Sequence, residues 1–360
     1  MSDLQFLTNK NDLADVLWQE QDLPAEGALA ADEVLIRIDA FALTANNITY
    51  AVAGERMSYW NFFPAQEGWG RIPVWGFGDV VASAHADIRV GERLYGYFPM
   101  GSHLLIRAGD VSERQLMDVV AHRVELPPVY NQYMRVSNDP EHDSQGEAAQ
   151  MLFRPLFMTS FILDDFIDKN DSFGADAVML TSASSKTSLG LAYLLKQRPD
   201  SHVVGITSAG NKSFVESLGW YHEICTYDDI PQLNSDRPSI VVDMAGNGSA
   251  LAAIHNHFAE NLKYSCLVGA THWEARAGAR DMAGPKPELF FAPTHIQNLR
   301  QDIGGREMDL AVADSWQSFT SDAAKWITVH AVDGQSAVEK LYQEMLAGKV
   351  TPDSGYILSL

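Results

Sequence analysis

Cysteine is nearly absent: the 360 residues hold two, Cys225 and Cys266, far apart and without a partner motif. Two isolated cysteines build neither a disulfide framework nor a cysteine zinc cage, and their scarcity suits a reducing cytoplasm. Basic residues are also few. Against 47 Asp and Glu stand 26 Lys and Arg, a formal net charge of −21. Such a surface repels phosphate backbones and anionic lipid, so neither nucleic acid nor a membrane surface is expected as a partner. A small anionic ligand stays open, because it answers to a local pocket. The opening segment MSDLQFLTNKNDLADVLWQE has no basic n-region and no long apolar run, so neither an export signal nor an anchor is read there. What is present fits an ordinary globular protein with 46% hydrophobic residues, long enough for two domains.

The first third reads as β structure. Glu33-Val-Leu-Ile-Arg-Ile-Asp39 alternates apolar and polar with period two, and Asp79-Val-Val81, Glu92–Phe98 and His103–Arg107 add short strands punctuated by Gly and Pro. Close-spaced short strands favour a small barrel or sandwich. Residues 136–149 (VSNDPEHDSQGEAA) turn polar and read as a surface loop or linker. From Ala175 the rhythm changes. Strands at Asp176–Thr181, His202–Thr207, Glu223–Tyr227, Ser239–Asp243 and Tyr264–Gly269 alternate with helical stretches such as Leu189–Leu195 and Asn211–Leu218. That alternation means βαβ units and a parallel sheet of Rossmann type. Ser336–Leu346 is an amphipathic helix, and a last strand ending at Leu360 can rejoin the first domain's sheet.

The turn after the first strand of a βαβ unit is where a dinucleotide's pyrophosphate meets a helix N-terminus. Here it is Ser182-Ala-Ser-Ser-Lys-Thr-Ser188, with no glycine until Gly190. Ser184, Ser185 and Thr187 can donate to phosphate, and Lys186 adds a charged donor. Ser184 and Ser185 can equally serve as plain helix caps. At the end of the second strand Thr207 and Ser208 replace the carboxylate that would bind the ribose of NAD, and Lys212 follows, a combination favouring a 2′-phosphate. The spacing fits neither a P-loop nor a nucleophile elbow, and the scattered histidines predict no metal site.

These pieces resemble the medium-chain dehydrogenase/reductase superfamily, in its zinc-free quinone-oxidoreductase-like branch. Glu33–Leu43 and Asn47-Ile-Thr-Tyr-Ala-Val-Ala-Gly54 look like its opening strand and Tyr-x-x-x-Gly segment. Pro73–Val81 resembles its glycine-rich strand, Val90-Gly-Glu-Arg-Leu-Tyr-Gly96 its following turn, and Ala347-Gly-Lys-Val350 its ending. Arg154–Ser160, with Thr159, sits where that family starts a helix with Leu-Thr-Ala. The stretch Tyr59-Trp-Asn-Phe-Phe-Pro64 and the serine-rich turn resemble the DUF2855 family.

The resemblance implies a mixed α/β fold. Residues 1–150, completed by 325–360, would form a GroES-like β-barrel catalytic domain, and 151–324 a doubly wound Rossmann domain. It implies NADPH, with Lys212 and Tyr227 at the positions that hold the 2′-phosphate and Thr159 and Gly269 among the cofactor contacts. The sequence departs from the family where Ser185 and Ser188 replace the two glycines of its phosphate turn. Two functions stay open. One is a metal-free, NADPH-dependent reduction of a carbonyl, enone or quinone-type small molecule, with Tyr50 supplying a proton or holding the oxygen. The other is a nucleotide-binding redox sensor or structural protein without hydride transfer. Tyr59, Trp60, Phe62, Phe63, Trp69 and Trp75 read as core or as the wall of an aromatic pocket, and a homodimer stays open.

Overall fold

A computed structural model of the chain describes residues 2–24, 27–139, 142–143, 146–199, 201–268 and 282–360. The chain divides into two compact units, Met1–Leu152 with Trp326–Leu360, and Phe153–Lys325.

In the first unit, β1 (Ser2–Asn9) pairs antiparallel with β2 (Val16–Asp22) and, across its other edge, with the short β4 (Trp69–Gly70). The main element is β3 (Glu33–Leu43), which buries Val34, Ile36 and Ile38 and turns Arg37 and Asp39 to solvent. It is followed by α1 (Ala45–Val52), β5 (Pro73–Ser83), β6 (Arg93–Pro99), β7 (His103–Gly109), β8 (Gln115–Asp118) and β9 (Gln132–Arg135). Strands β3, β5, β6, β9, β8 and β7 neighbour one another in that order, and β7 returns to pair with β3. The result is a closed six-stranded GroES-like barrel. Pairing of β3 with β5 shifts register twice, and there Gly76 lies so near that a Cβ would stand 2.4 Å from the Ala40 carbonyl oxygen. Only glycine permits that approach beside a bulge.

The second unit carries β10 (Ala177–Thr181), β11 (His202–Thr207), β12 (Glu223–Thr226), β13 (Ser239–Asp243), β14 (Leu262–Leu267) and β15 (Glu288–Leu289), all parallel. Their order is β12-β11-β10-β13-β14-β15. Counted in order of appearance that is 3-2-1-4-5-6, the doubly wound dinucleotide-binding arrangement. Every residue of β10 and β13 is buried, as strands covered on both faces must be. Helices α2 (Glu147–Lys169), α3 (Lys186–Lys196), α4 (Lys212–Leu218), α5 (Gly248–Phe258), α6 (Ala292–Ile303) and α7 (Gly305–Ala323) supply the connections.

The chain's last elements return to the first unit as β16 (Thr328–Asp333), α8 (Gln335–Leu346) and β17 (Ser354–Ser359). Strand β17 pairs antiparallel with β3, Tyr356 opposite Leu43, so both chain ends build this unit. Among the described residues no helix is long and apolar enough to cross a membrane.

Two sequence expectations need correction. The polar stretch 136–149 already contains the start of α2, because Glu147 opens that helix and binds the Arg93 guanidinium at 2.8 and 2.7 Å. A first turn with no apolar period looks like a linker. Consequently Arg154–Ser160 does not begin a helix but lies inside one. Pro155, favoured at a first helical position, is here accommodated in the interior.

Helix α2 approaches α3 closely at one point. The Ser160 hydroxyl stands 2.8 Å from the Thr187 carbonyl and 3.0 Å from that of Leu156, and a Cβ on Gly190 would come within 2.7 Å of its Oγ. Gly190→Ala is therefore expected to destabilise the protein by about 1–3 kcal/mol through overpacking. Urea unfolding of the two proteins measures it, and unchanged stability would show that the helices part freely.

Candidate functional site

The sheet's winding reverses between β10 and β13, and the carboxyl ends of these neighbours are where doubly wound proteins bind ligands. Thr181 and Asp243 end the two strands, both fully buried. Thr181 Oγ1 donates to Asp243 Oδ1 at 2.6 Å and accepts the Met244 and Ala245 N–H groups at 2.9 and 3.1 Å. Asp243 takes the Ala245 N–H as well, at 3.1 Å. The floor of the crevice is thus fastened across the reversal.

The turn above it has no glycine, and side chains do the work that bare backbone would do. Ser182 adopts φ +49°, a left-handed conformation that usually falls to glycine. Its N–H donates to the Tyr227 hydroxyl at 2.9 Å. The Ala183 carbonyl accepts the Tyr221 hydroxyl at 2.7 Å. Ser184 Oγ accepts from Asn211 Nδ2 at 2.9 Å and lies 3.5 Å from Thr207 Oγ1. Ser185 caps α3, its Oγ taking the Ser188 N–H at 3.3 Å, and Ser188 Oγ donates to the Thr181 carbonyl at 2.9 Å.

Lys186 is the first residue of α3, half-buried, its ammonium 5.9 Å from the centre of the Phe153 ring. Thr187 follows it, engaged through its carbonyl by Ser160. Thr207 ends β11 buried, Ser208 is exposed, and Lys212 opens α4 half-buried. Tyr227 stands one residue beyond β12, which ends at Thr226, and its phenol is committed to Ser182. Thr159 lies in the interior of α2 and donates to the Pro155 carbonyl at 3.2 Å. Gly269 lies outside the described residues. Sequence reasoning missed Asp243, Tyr221 and Asn211 as parts of this site.

Tyr50 belongs to the first unit. Asn47 fixes its helix: Oδ1 accepts the Thr44 N–H at 2.7 Å, while Nδ2 donates to the Pro73 carbonyl at 2.9 Å. One turn later Tyr50 is buried among Tyr59, Tyr97 and Tyr130, ring centres 4.6, 5.6 and 6.3 Å away. Trp75 Nε1 lies 3.4 Å from its hydroxyl, and the Tyr59 and Tyr130 hydroxyls are 3.3 Å apart. Burial raises the pKa of all four phenols, keeping them protonated donors at neutral pH. Beneath them Arg123, fully buried, packs its guanidinium 5.5 and 5.0 Å from the rings of Phe62 and Phe63. It pairs with Asp118 at 3.0 Å and bonds Asn131 and Tyr133. Of the aromatic run, Tyr59, Trp60, Phe62 and Phe63 are buried, and Trp69 and Trp75 are half-buried. Tyr97 and Tyr130 were not foreseen. Among the described residues no three His, Cys, Asp or Glu side chains gather as metal ligands would.

Comparison with solved structures bears on the fold. CurA in complex with NADPH from Vibrio vulnificus is 14% identical over 99% of this chain and 98% of that one, with a TM-score of 0.63. CurK enoyl reductase is 13% identical over 99% of both chains (TM-score 0.57), and the quinone oxidoreductase from Coxiella burnetii 12% over 100% of both (TM-score 0.52). At such identities the likeness is one of fold, and the fold is that of the medium-chain dehydrogenases/reductases. A family model described as "Protein of unknown function (DUF2855)" matches residues 41–351, and the chain belongs to that family. No curated protein matches the sequence.

Two outcomes follow from this geometry. Thr181→Val removes the donor to Asp243 and the acceptor of two N–H groups, and is expected to cost about 1–3 kcal/mol, measured by urea unfolding. A neutral result would mean that the crevice floor is held elsewhere. Burial pushes the Cys225 thiol up to about 11 and raises Cys266 further, so neither is reactive thiolate at pH 8. Ellman's reagent should label both only after unfolding, and rapid labelling of the native protein would contradict that burial.

Proposed function

We propose that this chain is an NADPH-dependent reductase that needs no metal and acts on a carbonyl, enone or quinone-type small molecule. The observation that carries the reading is the hydroxyl-lined turn Ser182–Ser188 at the winding reversal of a 3-2-1-4-5-6 sheet. The donor set suits a nucleotide. The N-terminus of α3 offers N–H groups and a positive dipole end, and Lys186 stands at its first position. Ser184 Oγ is already occupied as an acceptor, which leaves its hydrogen to be given to an anion. Thr207 in place of a carboxylate, followed by Ser208 and Lys212, favours a ribose carrying a 2′-phosphate. When bound, a reduced nicotinamide supplies hydride. The residue suited to the proton is Tyr50. Its oxygen takes the Trp75 N–H, so its own hydrogen points elsewhere, and burial keeps it protonated.

A second reading, nucleotide binding without hydride transfer, draws on one specific observation. The Tyr227 hydroxyl occupies the Ser182 N–H, and the neighbouring side chains satisfy one another. A panel of ketones, enones and quinones offered with NADPH separates the two readings by loss of nicotinamide absorbance.

Binding itself is tested at Lys186. NADPH is expected to bind at least about tenfold more tightly than NADH, the worth of one charged hydrogen bond. Lys186→Ala is expected to weaken NADPH by about 1–3 kcal/mol, and more so at low than at high salt. Calorimetry at two salt concentrations decides. Equal affinity for NADPH and NADH would remove the 2′-phosphate preference, and tighter binding by the variant would mean that the lysine blocks the turn.

A further inference from the structure

The turn that stands where a phosphate-binding loop is expected is held by a tyrosine from two strands away. Ser182 follows β10 and Tyr227 follows β12, with β11 lying between the two strands. Strand axes are about 4.8 Å apart, so the phenol crosses the end of β11 to reach the Ser182 N–H at 2.9 Å. Its ring packs against the core that holds Ile206, Cys225 and Val241, which fixes where the hydroxyl ends. The Ser182 carbonyl in turn accepts the Ser185 N–H at 2.7 Å, and Ser185 caps α3. A run of bonds therefore leads from the Tyr227 hydroxyl through the left-handed Ser182 to the first turn of that helix. Among the described residues the Ser182 hydroxyl itself bonds nothing, so serine brings no side-chain bond to offset its φ of +49°.

We propose that Tyr227 is a positioning residue of the nucleotide turn: its hydroxyl holds Ser182 in the conformation a glycine would adopt unaided, so that α3 presents its N-terminus to the pyrophosphate, and it takes no part in holding a 2′-phosphate. Two observations separate these roles. The hydroxyl is committed over the end of β10, whereas Thr207, Ser208 and Lys212 lie at the end of β11 and the start of α4. Burial and, to a lesser degree, the Asp243 carboxylate raise the phenol's pKa, and a carboxylate nearby is a poor setting for a phosphate dianion. A left-handed backbone is costly to serine and free to glycine, so a bond that fixes it replaces what the sequence lacks. The role assigned to Tyr227 rests on the nucleotide reading, whereas its tie to Ser182 does not.

The test uses the full-length protein, Tyr227→Phe, Ser182→Gly and the variant carrying both, titrated with NADPH and with NADH by calorimetry. Tyr227→Phe is expected to weaken both nucleotides by the same factor, about three- to tenfold, the worth of one hydrogen bond. With Ser182→Gly already present, the same substitution should change either affinity less than about twofold, because glycine holds the turn without the phenol. A loss confined to NADPH would assign the phenol to the 2′-phosphate and overturn the proposal. So would unchanged or tighter binding, or a loss of the same size in the glycine background. Should Tyr227→Phe alone fail to fold, the doubly substituted protein decides: it folds and binds like Ser182→Gly if the proposal holds, and misfolding or lost binding overturns it. If the wild type binds neither nucleotide, the reductase reading falls, and urea unfolding of the four proteins decides the tie alone. A stability loss from Tyr227→Phe that disappears with glycine sustains it, and losses that add overturn it.

Discussion

A strand that passes into a helix over a phosphate-binding turn must leave backbone N–H groups near the surface, and glycine is the usual way to do it. In this chain the corresponding strand-to-helix turn runs from Ser182 to Ser188, and its polar groups find internal partners. Four residues outside the turn provide those partners: Tyr227 for Ser182, Tyr221 for Ala183, Asn211 for Ser184 and Thr181 for Ser188. The strain at Ser182 persists because these bonds over-determine it. Rigidity here is the work of side chains, so it depends on residues far away in sequence.

The barrel unit solves the opposite problem. It gathers phenols and an indole around a core that also holds a charge, and burial suppresses the acidity of the phenols. Asn47 sets where α1 starts, and through it where the Tyr50 hydroxyl lies. A residue that bonds the Thr44 and Pro73 backbone therefore decides the geometry of one of the cluster's donors.

Much of this architecture can be read from sequence. Strands β10, β11 and β13 are covered on both faces and stand out as the apolar runs AVMLT, HVVGIT and SIVVD. The period-two pattern of β3 and the late strand β17 mark the barrel and its closure by the chain's end. The pair β1–β2 is harder to see, because SDLQFLTN and VLWQEQD are broken by polar residues and β2 is nowhere fully buried. The start of α2 is hidden by its polar first turn. The candidate site is legible only in part. Ser185 and Lys186 announce themselves beside a strand, but the bond of Thr181 to Asp243 spans 62 positions and that of Ser182 to Tyr227 spans 45. No local pattern encodes such pairings. The αL turn at Ser182 is hidden for another reason, since serine does not advertise it.

Arg123 and Asp118 place an ion pair in the buried interior of the barrel unit, with Phe62, Phe63 and Tyr133 packed on the guanidinium. Removing either partner alone leaves an uncompensated charge in the interior, at a cost of about 3–5 kcal/mol, while replacing both with apolar residues of like volume is often neutral. The two positions are therefore energetically coupled: either single substitution costs more than exchanging both side chains at once.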